Sequence, residues 1–190
     1  MNADRTDSRR PWAAYLVIFL VAVAVRVLFL RWFGVPDQTD GDMDGYIMTA
    51  RNIVEGRGFS GDGVTPLLYR PPLFAGLLAA WCAAWGSTAL STMLAYQVVV
   101  QSAAAVVTAA LVRRLSDSSA LVLAGGLFVA AYPFVFSSVG FILQEPTQML
   151  VTAATGVAIV SWWVKPRLPT ASVVGIGCGL CALEIGRAHV

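Results

Sequence analysis

Long apolar runs, separated by short clusters of charge, dominate this chain and set what it can fold into. Residues 13–33, "AAYLVIFLVAVAVRVLFLRWF", hold two charges in 21 positions. A helix needs about 20 mostly apolar residues to cross a hydrocarbon core of roughly 30 Å. Five stretches read this way: 12–33, 89–112, 118–137, 146–164 and 170–183. Only 13% of the 190 residues are charged and 57% are hydrophobic, where an ordinary soluble domain has about 25% charged. The expectation is an all-α, polytopic transmembrane helical bundle.

A sixth stretch, "PPLFAGLLAAWCAAWG" (71–86), is harder to place. Its sixteen residues reach roughly 24 Å as a helix. Charge bias decides, because cytoplasmic loops carry the Lys and Arg. If 71–86 does not span, Arg5, Arg9, Arg10, Arg113, Arg114, Lys165 and Arg167 all fall inside. If it does, the last four move outside. The segment therefore reads as a short outer helix opened by Pro71 and Pro72. The first residues, "MNADRTDSRRPW", precede a retained span, since no small-residue cleavage site follows. The expected location is the cell membrane, multi-pass, with a cytoplasmic N-terminus and two outer loops, 34–88 and 138–145. Nothing in the charge pattern points to nucleic acid.

The long outer loop contains "TDGDMDGYIMTAR" (39–51), with aspartates at 40, 42 and 44 and a glycine at 45. That matches the first half of a calcium-binding EF-hand loop. The twelfth position, which needs a bidentate Glu, is Arg51, so the calcium reading fails. Asp44 reads as the N-cap of an amphipathic helix ended by Gly56. Asp42 stands four residues before Tyr46, which brings the two side chains near one another on a helix. One cap does not account for three aspartates, so capping and chemistry both remain open for Asp42.

The glycines at 56, 58, 61 and 63 mark a flexible, turn-rich segment. Arg70 follows, between Tyr69 and two prolines. Its guanidinium suits the phosphate of a lipid carrier; its bland role is to meet ordinary lipid headgroups. Glu145, before Pro146, suits a helix N-terminus and also supplies a carboxylate from the second outer loop. Arg26, inside the first span, calls for a partner or a cavity. Cys178 and Cys181 have CxxC spacing in an apolar helix without a second pair, so they read as packing residues.

Four segments, in this order, resemble the N-terminal part of membrane glycosyltransferases of the GT-C fold: "GDMDGYIMTARNIVEGRGFS", "YRPPLFAGLLAAWCAAWGS", "VRRLSDSSALVLAGGLFVAAYPF" and "LQEPTQMLVTAA". The chain is most similar to the dolichyl-phosphate-mannose protein mannosyltransferase and aminoarabinose transferase group, glycosyltransferase family 39 and its relatives. The resemblance covers about 150 residues and rests on the ordered set. It implies a GT-C-like bundle whose first outer loop forms the active site, and a polyprenyl-phosphate-linked sugar donor. The sugar passes to an acceptor on the outer face, and the richness in Ala, Val and Arg points to a bacterial cell envelope. It implies Asp42 as general base, or as part of a divalent-metal site in members that use one. Arg70 would meet the donor phosphate, and Glu145 the substrate from the second loop. Tyr46 and Asp44, close to Asp42 in the same stretch, join the candidate substrate-binding residues, although Asp44 has no fixed counterpart in the family.

The tail "EIGRAHV" (184–190) departs from the family and resembles the translation of a sequencing adaptor. On that reading His189, Arg187 and Glu184 carry no function, residues 1–183 are the N-terminal part of a longer enzyme, and the fragment alone is inactive. Two other classes compete. A transporter or lipid flippase would place ionisable groups at mid-membrane, with repeats and broken helices. A non-catalytic membrane scaffold would tolerate Asp42→Asn.

Overall fold

The apolar runs become helices stacked around one central member. The computed structural model describes residues 11–35, 42–67 and 70–184; of Pro11 and Asp42 it describes the backbone alone. Asp37, Asp40, Tyr69, the arginines at 5, 9 and 10, and residues 185–190 lie outside the described residues. The helices are α1 (Pro11–Phe33), α2 (Asp42–Val54), α3 (Pro72–Trp85), α4 (Leu90–Leu115), α5 (Ser119–Ala131), α6 (Pro133–Ser137), α7 (Glu145–Val164) and α8 (Leu168–Glu184). A single 3₁₀ turn, Ser138–Gly140, links α6 to α7. Among the described residues the fold is all-helical, with one isolated bridge between Ser60 and Pro66.

Three helices, α1, α4 and α7, are long and apolar enough to cross a membrane. The expected span 118–137 is broken: α5 stops and the chain bends by 42° before continuing through α6 and the 3₁₀ turn. Pro133 explains the break, since it has no N–H to give back to the preceding turn. It also holds Tyr132 extended, at φ −69° and ψ 118°. Together the two pieces have the length of a fourth span. The expected fifth span, 170–183, falls in α8, whose 17 residues extend about 26 Å.

α4 is the hub. It runs antiparallel to α1, with Arg26 bonded to Gln101 and Ile18 packed near Ala109. It runs parallel to α7, as Tyr96 meets Thr147 and Arg114 meets Ser161. The start of α1 and the basic ends of α4 and α7 therefore share one end of the bundle. The loops carrying α2, α3 and the 3₁₀ turn share the other.

The two ends of the fold are held by different physics. Where α1, α4 and α5 meet, Ile18, Ala22, Ala105, Ala109 and Val122 pack closely. A β-carbon on Gly126 would collide with Ile18 and Ala109, as expected where apolar helices associate by close contact of small residues. At the loop end, Tyr46, Ile47 and Ala50 of α2 meet Phe74, Leu78 and Cys82 of α3 and Met93 and Tyr96 of α4. Phe74 and Leu78 are fully buried; in water each contributes about 1.5–3 kcal/mol. The long loop thus carries a small core of its own.

Candidate functional site at the loop end

α2 begins at Asp42, three residues before Gly45, where an N-cap at Asp44 would have started it. Asp44 is therefore an exposed residue of the first turn and not the N-cap. An acidic group there still faces the positive end of the helix dipole, which is why an earlier start costs nothing. The expected C-terminus holds. Gly56, at φ +77°, lets its own N–H reach Ile53 and that of Arg57 reach Asn52, closing the last turn. α3 ends the same way at Gly86, whose N–H bonds Ala83 while that of Ser87 bonds Cys82.

The glycine-rich segment is turn-rich as expected, but it is pinned rather than loose. Asn52 is buried and donates to the Ser60 carbonyl at 2.8 Å, while its own oxygen accepts two bonds from Arg57. Asp62 closes the next turn by accepting from the Val64 and Thr65 N–H groups. Those bonds hold its carboxyl down at about 2.

Arg70 closes the long loop back onto α2. Its guanidinium lies over the Tyr46 ring, 4.8 Å from the centroid. It also covers Gly45 so closely that a β-carbon there would overlap it. Glycine at 45 is what lets the guanidinium sit here; a larger residue would displace the Arg70 side chain. Tyr46 is buried, edge-on to Phe74, and donates its hydroxyl hydrogen to Gln144 Oε1 at 2.6 Å. That bond joins the first loop to the second.

The second loop is stapled to α4. Gln97 Nε2 donates to the Phe141 and Leu143 carbonyls at 3.0 and 2.8 Å. One turn on, Gln101 Nε2 donates to Ser138 Oγ at 3.2 Å. Glu145 opens α7, exposed, as its sequence position indicated. Beside it a cleft of about 640 Å³ runs between α1, α6 and α7, lined by Phe29, Phe33, Phe134, Phe141 and Met149. Arg70 and Tyr46 do not line this cleft; they stand beyond Gln144, next in the chain to Glu145.

Four of the five candidate residues, Asp44, Tyr46, Arg70 and Glu145, are thus described at this end of the bundle. Tyr46 is committed to the interior, whereas Glu145 faces a cavity. The side chain of Asp42 is outside the described residues, so its approach to Tyr46 has no description. Among the described residues no three His, Cys, Asp or Glu side chains converge to hold a metal ion, and no step below runs through one. Sequence reasoning missed Gln97, Gln101 and Gln144. The signal was there for the first two: amides four residues apart on one face of an apolar helix.

Arg26 is fully buried in α1. Its Nε donates to Gln101 Oε1 at 2.9 Å, and its Nη1 donates to the Ala22 and Ala130 carbonyls. Ala130 lies in the last turn of α5, where carbonyls lose their helical partners. Arg26 thus caps the helix that Pro133 interrupts. No protein-family model, curated protein or solved structure matches the chain.

Proposed function

We infer that the chain is the N-terminal part of an integral-membrane glycosyltransferase that moves a sugar from a polyprenyl-phosphate donor to an acceptor outside the membrane. The observation that carries this reading is the loop junction. One cation, Arg70, is held over Tyr46, and Tyr46 is bonded to the loop that ends in Glu145. The phenylalanine-lined cleft beside Glu145 offers an isoprenoid chain an apolar bed at the same end of the bundle.

In this reaction the acceptor oxygen attacks the anomeric carbon and the bond from that carbon to the phosphate oxygen breaks. The electron pair leaves with the phosphate, which needs positive charge and no acid catalyst. Arg70 supplies the charge, and Asp42 takes the acceptor proton. Glu145 orients the sugar from the cleft rim.

The transporter reading draws on Arg26 and the broken helix α5–α6. The two account for each other, since the guanidinium bonds the carbonyl end that the break exposes. Arg26 is thereby committed to holding the break, and the other cation of α1, Arg31, lies exposed near the loop end.

The test is a transfer assay on membranes containing the longer chain that the resemblance implies, with a radiolabelled polyprenyl-phosphate sugar. Asp42→Asn lowers turnover about a hundredfold or more while the amount of inserted protein stays constant. Arg70→Ala raises the donor KM more than the acceptor KM. Wild-type turnover in the first variant, or an unchanged donor KM in the second, sinks the corresponding role.

A further inference from the structure

At the opposite end of the bundle, α4, α7 and α8 enclose a notch of about 520 Å³ that the proposed transfer does not use. Three cations line it: Arg114 from the end of α4, and Lys165 and Arg167 from the turn between α7 and α8. Among the described residues no carboxylate lines it. Like charges gathered without a counter-ion repel, and such an arrangement is favourable when an anion sits among them.

The notch is built, not merely basic. Ser161 Oγ donates its hydrogen to the Val157 carbonyl at 2.5 Å, which leaves its lone pairs for Arg114. Arg114 Nη1 takes that position at 2.7 Å, using one of the five N–H donors of the guanidinium. Thr170 Oγ1 accepts from the Arg167 N–H and donates to the Arg167 carbonyl, fixing the turn that carries the third cation. The N-terminal end of α8 also opens here, with its dipole favourable to negative charge.

The depth of the notch is marked by aromatic side chains. Trp163, at the end of α7, is 80% exposed, and Trp12, at the start of α1, is 56% exposed at the same end of the bundle. Exposed tryptophans of membrane helices sit at the headgroup level. A basic pocket between helices at that level has the form that receives acidic lipid headgroups.

We propose that the notch formed by Arg114, Lys165, Arg167, Ser161 and Thr170 binds a phosphate group, presented by an anionic phospholipid of the surrounding leaflet. Arg114 and Arg167 take the phosphate oxygens, Lys165 adds charge, and the acyl chains lie along the apolar faces of α7 and α8. The site is independent of the glycosyltransferase reading and stands whether or not that reading does.

The purified, delipidated chain is titrated with phosphatidylglycerol, phosphatidylcholine, glycerol 3-phosphate and inorganic phosphate, and bound ligand is counted by native mass spectrometry. Phosphatidylglycerol is expected to bind at one stoichiometric site. The triple variant Arg114→Gln, Lys165→Gln, Arg167→Gln is expected to bind it about tenfold or more weakly. Arg31→Gln, an exposed cation at the other end, leaves binding unchanged. Equal competition by inorganic phosphate or glycerol 3-phosphate keeps the phosphate site and assigns it to a soluble ligand. Equal binding of phosphatidylcholine, or full binding by a triple variant of unchanged helicity, overturns it. A photoactivatable phosphatidylglycerol gives a readout without substitution: on the wild-type chain it crosslinks at the end of α4 around Arg114 or within residues 154–173, and labelling confined to other segments also overturns the site.

Discussion

Single side chains decide several features of this fold, and Arg26 is the plainest. Arg26→Leu strands Gln101 Oε1 and the Ala130 carbonyl, each an acceptor that costs about 1–3 kcal/mol when buried without a donor. Thermal unfolding in detergent should show a lowered midpoint. Arg26→Lys should recover only part of it, because an ammonium cannot reproduce the planar fork that reaches both acceptors. Gly45→Ala pushes the Arg70 guanidinium off Tyr46 and should weaken donor binding about tenfold, with helix content unchanged by circular dichroism. Asp62 makes a pH prediction. Its carboxyl is held at about 2 when folded, against roughly 3.9 unfolded. Its contribution is therefore fully present above the unfolded value and is lost as pH falls through about 2. The Val64 and Thr65 amide shifts should titrate together in that window; a midpoint near 4 would mean the turn does not form. Glu184 runs the other way. It is fully buried, and among the described residues neither carboxylate oxygen has a hydrogen-bond partner, so Glu184→Leu should stabilise the bundle.

At the level of elements, the sequence was informative where local chemistry alone sets the outcome. Pro71 and Pro72 opened α3, and Gly56 ended α2, because caps and proline depend on only a few neighbouring residues. The start of α2 was misplaced because aspartates recur at 40, 42 and 44, so the sequence alone offers no single capping position. The bend at Tyr132 was missed although Pro133 was visible, since "LVLAGGLFVAAYPFVF" keeps its hydropathy straight through the break. The stapling of the second loop was the least legible, because Gln97 and Gln101 find their partners about 40 residues away. Gln97→Leu leaves the Phe141 and Leu143 carbonyls without that donor. Hydrogen exchange over 138–144 should speed up, while α2 and α3 keep their protection. Tyr46→Phe cuts the link to Gln144 and should cost about 1 kcal/mol, with both loops kept.

For the whole molecule, the charge bias predicts that the loop end faces outward and the basic end inward. Val64 is 86% exposed at the first end and Leu168 is 82% exposed at the second. In a Cys178→Ser background, Val64→Cys should react with an impermeant maleimide in intact cells. Leu168→Cys should react only after permeabilisation, and the reverse pattern would invert the topology. Ser60 is a poor reporter, despite lying in the same loop, because it is 3% exposed.

The capping of α5 by Arg26 also sets a schedule for synthesis. Beyond the Ala22 carbonyl of its own helix, its partners follow 75 and 104 residues later in the chain. At about 5–20 residues per second, the arginine waits on the order of 5–20 seconds before Ala130 exists to receive it. During that interval the first helix carries a charge the nascent chain satisfies only in part, so the insertion machinery, water or lipid headgroups must help hold it. A nascent chain halted before Gln101 should release its first helix from the translocon more slowly than one halted after Ser137.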